Sequence, residues 1–157
     1  AAPGLIIADE PTTALDVTVQ AQIISLIKRL GRERGTAVML VTHDMGVIAE
    51  TSDRVAVMYS GRIAEIGPVQ DVVRNPLHPY AKGLMGAIPT LAGEDKRLVQ
   101  IPGSMPRLSA IPPGCSFNPR CGSAFERCRI ERPEPIRRGS QSVACHLFDD
   151  SAKDSAA

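Results

Sequence analysis

Leu5-Ile6-Ile7-Ala8-Asp9-Glu10-Pro11 is a short apolar run that stops abruptly in two adjacent carboxylates. A run of this length and composition reads as a strand buried in a parallel sheet, and the carboxyl edge of such a sheet is where open α/β folds place their ligands. An Asp-Glu pair at a strand end, taken alone, reads as solvated charge. Its reading changes with the residues downstream of it: Thr12-Thr13-Ala14-Leu15-Asp16, then a helical stretch, then Val41-Thr42-His43-Asp44.

Working outward, Asp16 is a cap for a helix from about Val17 to Arg34, because Val19, Ile23, Leu26, Ile27 and Leu30 recur on one helical face. Gly31 and Gly35 mark its end. Thr36 to Val41 reads as a second buried strand, which makes strand, helix and strand one crossover unit of the right-handed kind. Asp9, Glu10 and His43 are therefore expected at one edge of one sheet. A short helix over Met45 to Glu50 precedes two β-rich runs, Arg54–Tyr59 and Arg62–Ile66, whose Ser60-Gly61 junction predicts a hairpin. Pro68 opens a helix to about Arg74. Asn75-Pro76-Leu77-His78-Pro79-Tyr80 interrupts it, since a residue before proline is pushed from helical angles, and a short helix from Tyr80 to about Ala87 comes next. His78 and Tyr80 read as loop packing. A domain boundary is expected near residues 89–95, a strand at Arg97 to Ile101, and a disordered tail over residues 151–157.

Composition narrows the function classes. Eighteen basic against 17 acidic residues leave a net charge of +1, and aromatics make up 3% with no Trp, which argues against a nucleic-acid surface with its basic face and stacking rings. No apolar run approaches the roughly 18 residues of a membrane span. The chain opens at Ala1 and enters a strand almost at once. It contains no Gly-x-x-x-x-Gly-Lys-Ser/Thr phosphate loop and no Leu-Ser-Gly-Gly-Gln signature. The C-terminal portion of a longer subunit is the expectation.

The order of Asp9-Glu10, Thr12-Thr13-Ala14-Leu15-Asp16 and Thr42-His43 resembles the Walker B, D-loop and switch-histidine order of ABC-type ATPases. Three later stretches narrow the resemblance: Asn75 to Tyr80, Ile101-Pro102-Gly103-Ser104-Met105-Pro106, and Gly114-Cys115-Ser116-Phe117-Asn118-Pro119-Arg120-Cys121. Together they look like the C-terminal part of an oligopeptide/dipeptide-type ABC transporter ATP-binding subunit, over the chain up to Cys145-His146. Thr13 stands where many ABC proteins carry Ser, and Gly122 where this family often has Pro.

The resemblance implies an α/β fold: a partial P-loop NTPase domain with parallel strands and a C-terminal β-hairpin over residues 1–89, then an irregular Cys-rich extension over 90–150. It implies ATP and Mg²⁺ as ligands, with Asp9 holding the metal through its water shell, Glu10 aligning the attacking water or taking its proton, and His43 bonding the γ-phosphate. Asp16 would both cap the helix and make the D-loop contact across a nucleotide-sandwich dimer. The implied partners are a second ABC ATPase subunit, identical or paralogous, transmembrane permease subunits and, indirectly, a solute-binding protein. The implied place of action is the cytoplasmic face of the inner membrane. Lacking the phosphate loop and signature, these 157 residues are expected not to hydrolyse ATP alone.

All four cysteines, Cys115, Cys121, Cys128 and Cys145, fall in a 31-residue window poor in apolar groups, which points to a cross-link of some kind. A cytosolic subunit disfavours disulfides, which leaves Zn²⁺, an iron–sulfur cluster or unligated thiols. Zinc sites usually include a cysteine pair two to four residues apart, and none occurs here. The wider spacing, and the clusters that some members of the resembled family carry at matching cysteines, favour a [4Fe–4S] cluster. Arg120, Arg127 and Arg129 would offset its charge, and His146 is a substitute ligand. The alternative function is a non-catalytic iron–sulfur or zinc-binding regulatory module with a vestigial ATPase half. It would predict loss of Glu10 or His43, and both are present.

Overall fold

The structure, a computed structural model, describes residues 3–87 and 100–149. The chain forms two compact units, Ala1–Ser52 and Asp53–Ala157.

In the first unit, β1 (Leu5–Asp9) and β2 (Ala37–Val41) pair in parallel, from Leu5 opposite Ala37 to Asp9 opposite Val41. The intervening helix α1 spans Val17–Arg34, the expected range. Its start is set by the Asp16 side chain, which accepts from the backbone N–H of Thr18 and Val19 at 3.0 and 2.9 Å. Its end is set by Gly35, whose φ of 61° costs a residue without Cβ little. A short helix α2 (Met45–Thr51) closes the unit, with its Ile48 buried.

The expectation that β1 and β2 are buried strands needs correction. Ile7 is 64% exposed and Met39 53%, and no α1 residue is fully buried. The physical reason is the sheet's size. Among the described residues this sheet has two strands, and along β1 the half-buried Ile6 and Ala8 alternate with exposed Leu5, Ile7 and Asp9, so at most one row is covered.

The second unit begins with the hairpin of β3 (Arg54–Tyr59) and β4 (Arg62–Pro68), joined by Ser60 and Gly61 at φ 47° and 76°. Two consecutive left-handed residues are the turn that matches strand twist. Along β3, Val55, Val57 and Tyr59 point inward and alternate with exposed neighbours. Helices α3 (Val69–Arg74) and α4 (Pro79–Gly86) come next, separated where the two prolines require it. Further on come α5 (Glu126–Ile130) and a second hairpin, β5 (Ile136–Arg138) and β6 (Gln141–Val143).

Two expectations change here. The extension, largely turns and short helices, is not wholly irregular: β6 pairs antiparallel with β4, with Glu65 opposite Val143, to give one sheet of order β3-β4-β6-β5. Residues on both sides of the expected 89–95 boundary consequently share one unit, and the division falls at Ser52/Asp53. Their common core joins Tyr59 and Ala64 of the first hairpin to Phe117, with Tyr80 and Ile101 packed against it. Tyr59 meets Tyr80 and Phe117 edge-on at 4.7 and 5.2 Å, contacts worth about 1 kcal/mol each beyond burial. The expected strand at 97–101 lies mostly outside the described residues, and Gln100 and Ile101 are not in a strand. Residues 89–95 and 151–157 also lie outside the described residues.

Glu65 is fully buried beneath this sheet. Its carboxylate accepts from the backbone N–H of Leu77 at 3.0 Å and of His78 at 2.7 Å, and from Gln141 Nε2 at 3.0 Å. One side chain thereby ties β4 to the α3–α4 loop and to β6. Burial pushes its pKa up, and the two backbone donors oppose that push.

Candidate functional site

The parallel pair does not end at Asp9. Glu10 N–H donates to Val41 O at 2.8 Å, which adds one rung to the ladder and brings the chain that leaves β1 beside the chain that leaves β2. The backbone then turns tightly over Glu10-Pro11-Thr12-Thr13, closed by Thr13 N–H to Glu10 O at 3.1 Å, with Pro11 in the second position where its fixed φ suits a turn. Glu10 itself has φ 46° and Ala14 φ 63°, both left-handed without being glycine. Such residues cost of order 1 kcal/mol and persist where their surroundings fix them.

This geometry aims Glu10 across the strand ends. Its Oε1 lies 2.8 Å from His43 Nδ1, and its Oε2 accepts from the Thr13 hydroxyl. The Thr13 and His43 hydrogen bonds lower the Glu10 pKa, and the Glu10 carboxylate raises that of His43 above its ordinary 6.5. The pair is open to solvent, with the His43 side chain 83% exposed. Asp9 is the last residue of β1, opposite Val41, so the three expected residues Asp9, Glu10 and His43 do emerge at one edge. Asp16, the fourth, is the α1 cap.

Sequence reading missed what holds His43. Asp44 caps α2, accepting from the backbone N–H of Gly46 at 2.9 Å and of Val47 at 3.2 Å. Its other oxygen accepts from Gln20 Nε2 of α1 at 3.1 Å, and its own N–H donates to Thr42 Oγ1 at 3.1 Å. The residue after His43 is thus fixed from both helices. An Asp directly before a helical run was the available signal, as with Asp16.

The cysteines lie in the second unit: Cys115 and Cys121 half-buried, Cys128 and Cys145 buried, all with free thiols. Gly114, at φ 71°, allows the approach that joins two of them. A Cβ there would lie 2.4 Å from Cys128 O, and Cys115 N–H donates to that same oxygen at 2.8 Å. Burial raises the pKa of Cys115 and Cys121, and lifts Cys145 to about 11, with the three other cysteines adding to the rise. Cys145 feels the charge of each of the other three, which places the four cysteines in one neighbourhood.

Among the described residues, no group of three or more His, Cys, Asp or Glu is placed to hold a metal ion. Two of the three arginines expected to offset a cluster, Arg127 and Arg120, are engaged elsewhere. Arg127 pairs with Glu131 at 2.6 Å and Asp149 at 2.9 Å, and Arg120 bonds Pro102 O, Ile101 O and the Tyr59 hydroxyl. His146 Nε2 lies 2.9 Å from Glu131 O, an acceptor that fixes this nitrogen as its donor. The described residues lend no support to the expected metal centre. No helix among the described residues is long and apolar enough to cross a membrane.

Residues 64–128 match the family described as "Oligopeptide/dipeptide transporter, C-terminal region". The chain is 46% identical over 149 residues to the oligopeptide transport ATP-binding protein AppD of Bacillus subtilis, covering 94% of this chain and 45% of that protein. It is 55% identical over 128 residues to the oligopeptide transport ATP-binding protein OppD of Haemophilus influenzae, covering 82% and 40%. It is 48% identical over 152 residues to the dipeptide transport ATP-binding protein DppD of B. subtilis, covering 96% and 45%. The chain spans less than half the length of each of these relatives.

Proposed function

We propose that this chain, which carries the oligopeptide/dipeptide transporter C-terminal region and shares about half its residues with oligopeptide and dipeptide transport ATP-binding proteins, is the C-terminal part of such a subunit. In this reading it contributes the hydrolytic end of an ATP site. The observation that carries it is the meeting of Glu10 and His43, at 2.8 Å, beside Asp9 at the carboxyl edge of the parallel pair.

Each residue then has a task set by its position. Asp9 would hold Mg²⁺ through its water shell; bound there, the ion supplies neutralisation of phosphate charge. Glu10 aligns the attacking water by accepting its hydrogen bond. Its lowered pKa keeps it anionic, which suits an acceptor better than a strong proton abstractor at neutral pH. His43, kept cationic to higher pH by Glu10, is suited to the γ-phosphate oxygens. Asp16, already the α1 cap, would also touch a second ATPase subunit, identical or paralogous, across the nucleotide.

The remaining partners in this reading are permease subunits in the membrane and, beyond them, a solute-binding protein, with the ATPase peripheral on the cytoplasmic face. The exposed acids make this an incomplete site. The sequence has no phosphate loop, so the 157 residues by themselves are not expected to hydrolyse ATP. The regulatory-module alternative depends on a metal centre in the second unit, and no described residues fit one.

The test is Mg²⁺-dependent phosphate release by the complete subunit reconstituted with its permeases, beside the 157-residue chain. Release by the complete assembly alone supports the reading. Release by the isolated chain, or by neither, contradicts it.

A further inference from the structure

The Glu10 carboxylate is held at both oxygens, and the two holders differ in kind. His43 reaches Oε1 from beyond β2, whereas Thr13 reaches Oε2 from the turn that Glu10 itself begins. Residues 10 and 13 are joined twice, once through the backbone at 3.1 Å and once through the side chains. The Pro11 turn fixes the first link and so places the hydroxyl for the second. Glu10 adopts its left-handed φ of 46° within this arrangement, which gives the strain a purpose: it directs the carboxylate along the sheet edge, not outward along the strand.

We propose that Thr13 is a positioning residue for the hydrolytic step, its hydroxyl holding Glu10 Oε2 so that Oε1 is presented to the attacking water. This deepens the proposed function and rests on it. In that function His43 turns to the γ-phosphate, and its bond to Oε1 is given up. Oε1 is then free for water, and Thr13 still holds the other end of the carboxylate. A Glu side chain has three rotatable bonds, so an untethered carboxylate samples many poses, and tethering one oxygen removes most of that freedom at no cost to the acceptor capacity of the other. Thr42 and Asp44 contribute nothing equivalent to Glu10, since their hydrogen bonds hold the His43 side of the site.

The experiment uses the complete subunit with its permeases and compares T13V, which keeps the shape and removes the donor, with T13S, which keeps the donor. Loss of one hydrogen bond that matters in the transition state corresponds to about a tenfold fall in kcat. T13V is expected to show that fall with KM for ATP unchanged and the melting temperature retained, and T13S to restore turnover to within about twofold. Because Thr13 acts through Glu10, T13V combined with E10Q is expected to be no slower than E10Q alone. Normal turnover by T13V, failure of T13S to restore it, or additive losses in the double variant would each overturn the proposal while leaving the ATPase reading intact. Absence of hydrolysis by the unmodified subunit would overturn both.

Discussion

His78 offers the sharpest physical prediction in the second unit. Its ring is 3% exposed and lies against Phe117 with centroids 5.8 Å apart, and its Nδ1 accepts from Tyr80 N–H at 3.0 Å, capping α4. Burial depresses its pKa from 6.5 to about 4. Between these two values the unfolded chain binds a proton that the folded chain refuses, so stability falls as pH falls through this window and levels off below it. The separation corresponds to about 3 kcal/mol. Glu65 acts with the opposite sign: its pKa is raised on folding, so stability falls as pH rises from 4.5 toward its folded value. Replacing His78 by Asn keeps a side-chain acceptor for the Tyr80 N–H and removes the titration. Both tyrosines of the chain, Tyr59 and Tyr80, lie in this unit and there is no Trp, so tyrosine fluorescence in urea reports on it selectively. The stability difference between wild type and H78N is expected to change by about 3 kcal/mol between pH 7 and pH 4, in favour of H78N at the acid end. Parallel pH profiles would refute the reasoning.

Other outcomes rest on the same contacts. D44A removes the α2 cap and is expected to cost about 1–2 kcal/mol in the first unit, read by hydrogen exchange of the α2 amides. E65A leaves the buried N–H groups of Leu77 and His78 and the Gln141 amide unpaired, and is expected to cost about 3 kcal/mol in urea titration, whereas an apolar-like cost near 1 kcal/mol would contradict the tie. Cys145, at about 11 against an ordinary 9.0, is expected to be about a hundredfold less thiolate than an exposed cysteine at pH 8, and so slow with thiol reagents until unfolding. Stoichiometric iron and acid-labile sulfide in anaerobically purified protein would instead show the four cysteines ligated.

Much of the first unit was legible because its signals are local. Asp16 before an apolar-periodic stretch and Gly35 after it mark both ends of α1, and the β-rich runs either side needed only one short crossover to pair. The alignment of Glu10 with His43 comes from that parallel register. The holding of Asp44 by Gln20 does not, because residues 24 apart in sequence meet only once α1 is packed. In the second unit the Ser60-Gly61 hairpin was plain. The pairing of β6 with β4 was not, because three-residue strands carry almost no periodicity and a contact between Glu65 and Gln141 spans 76 residues. Glu65 is an acid within a β-rich run, and only burial by the later hairpin makes it a structural tie. Cysteine spacing was informative about neighbourhood and uninformative about protonation, which depends on burial.

The most direct test of the central claim, that Asp9, Glu10 and His43 form the hydrolytic end of an ATP site, is single-turnover hydrolysis of bound ATP by the complete subunit carrying E10Q. The carboxamide keeps the size of Glu10 but lacks its anionic acceptor, so ATP is expected to bind with affinity within a few-fold of wild type while phosphate release slows by about a hundredfold or more. Release at near the wild-type rate, with ATP equally well retained, would contradict the role assigned to Glu10.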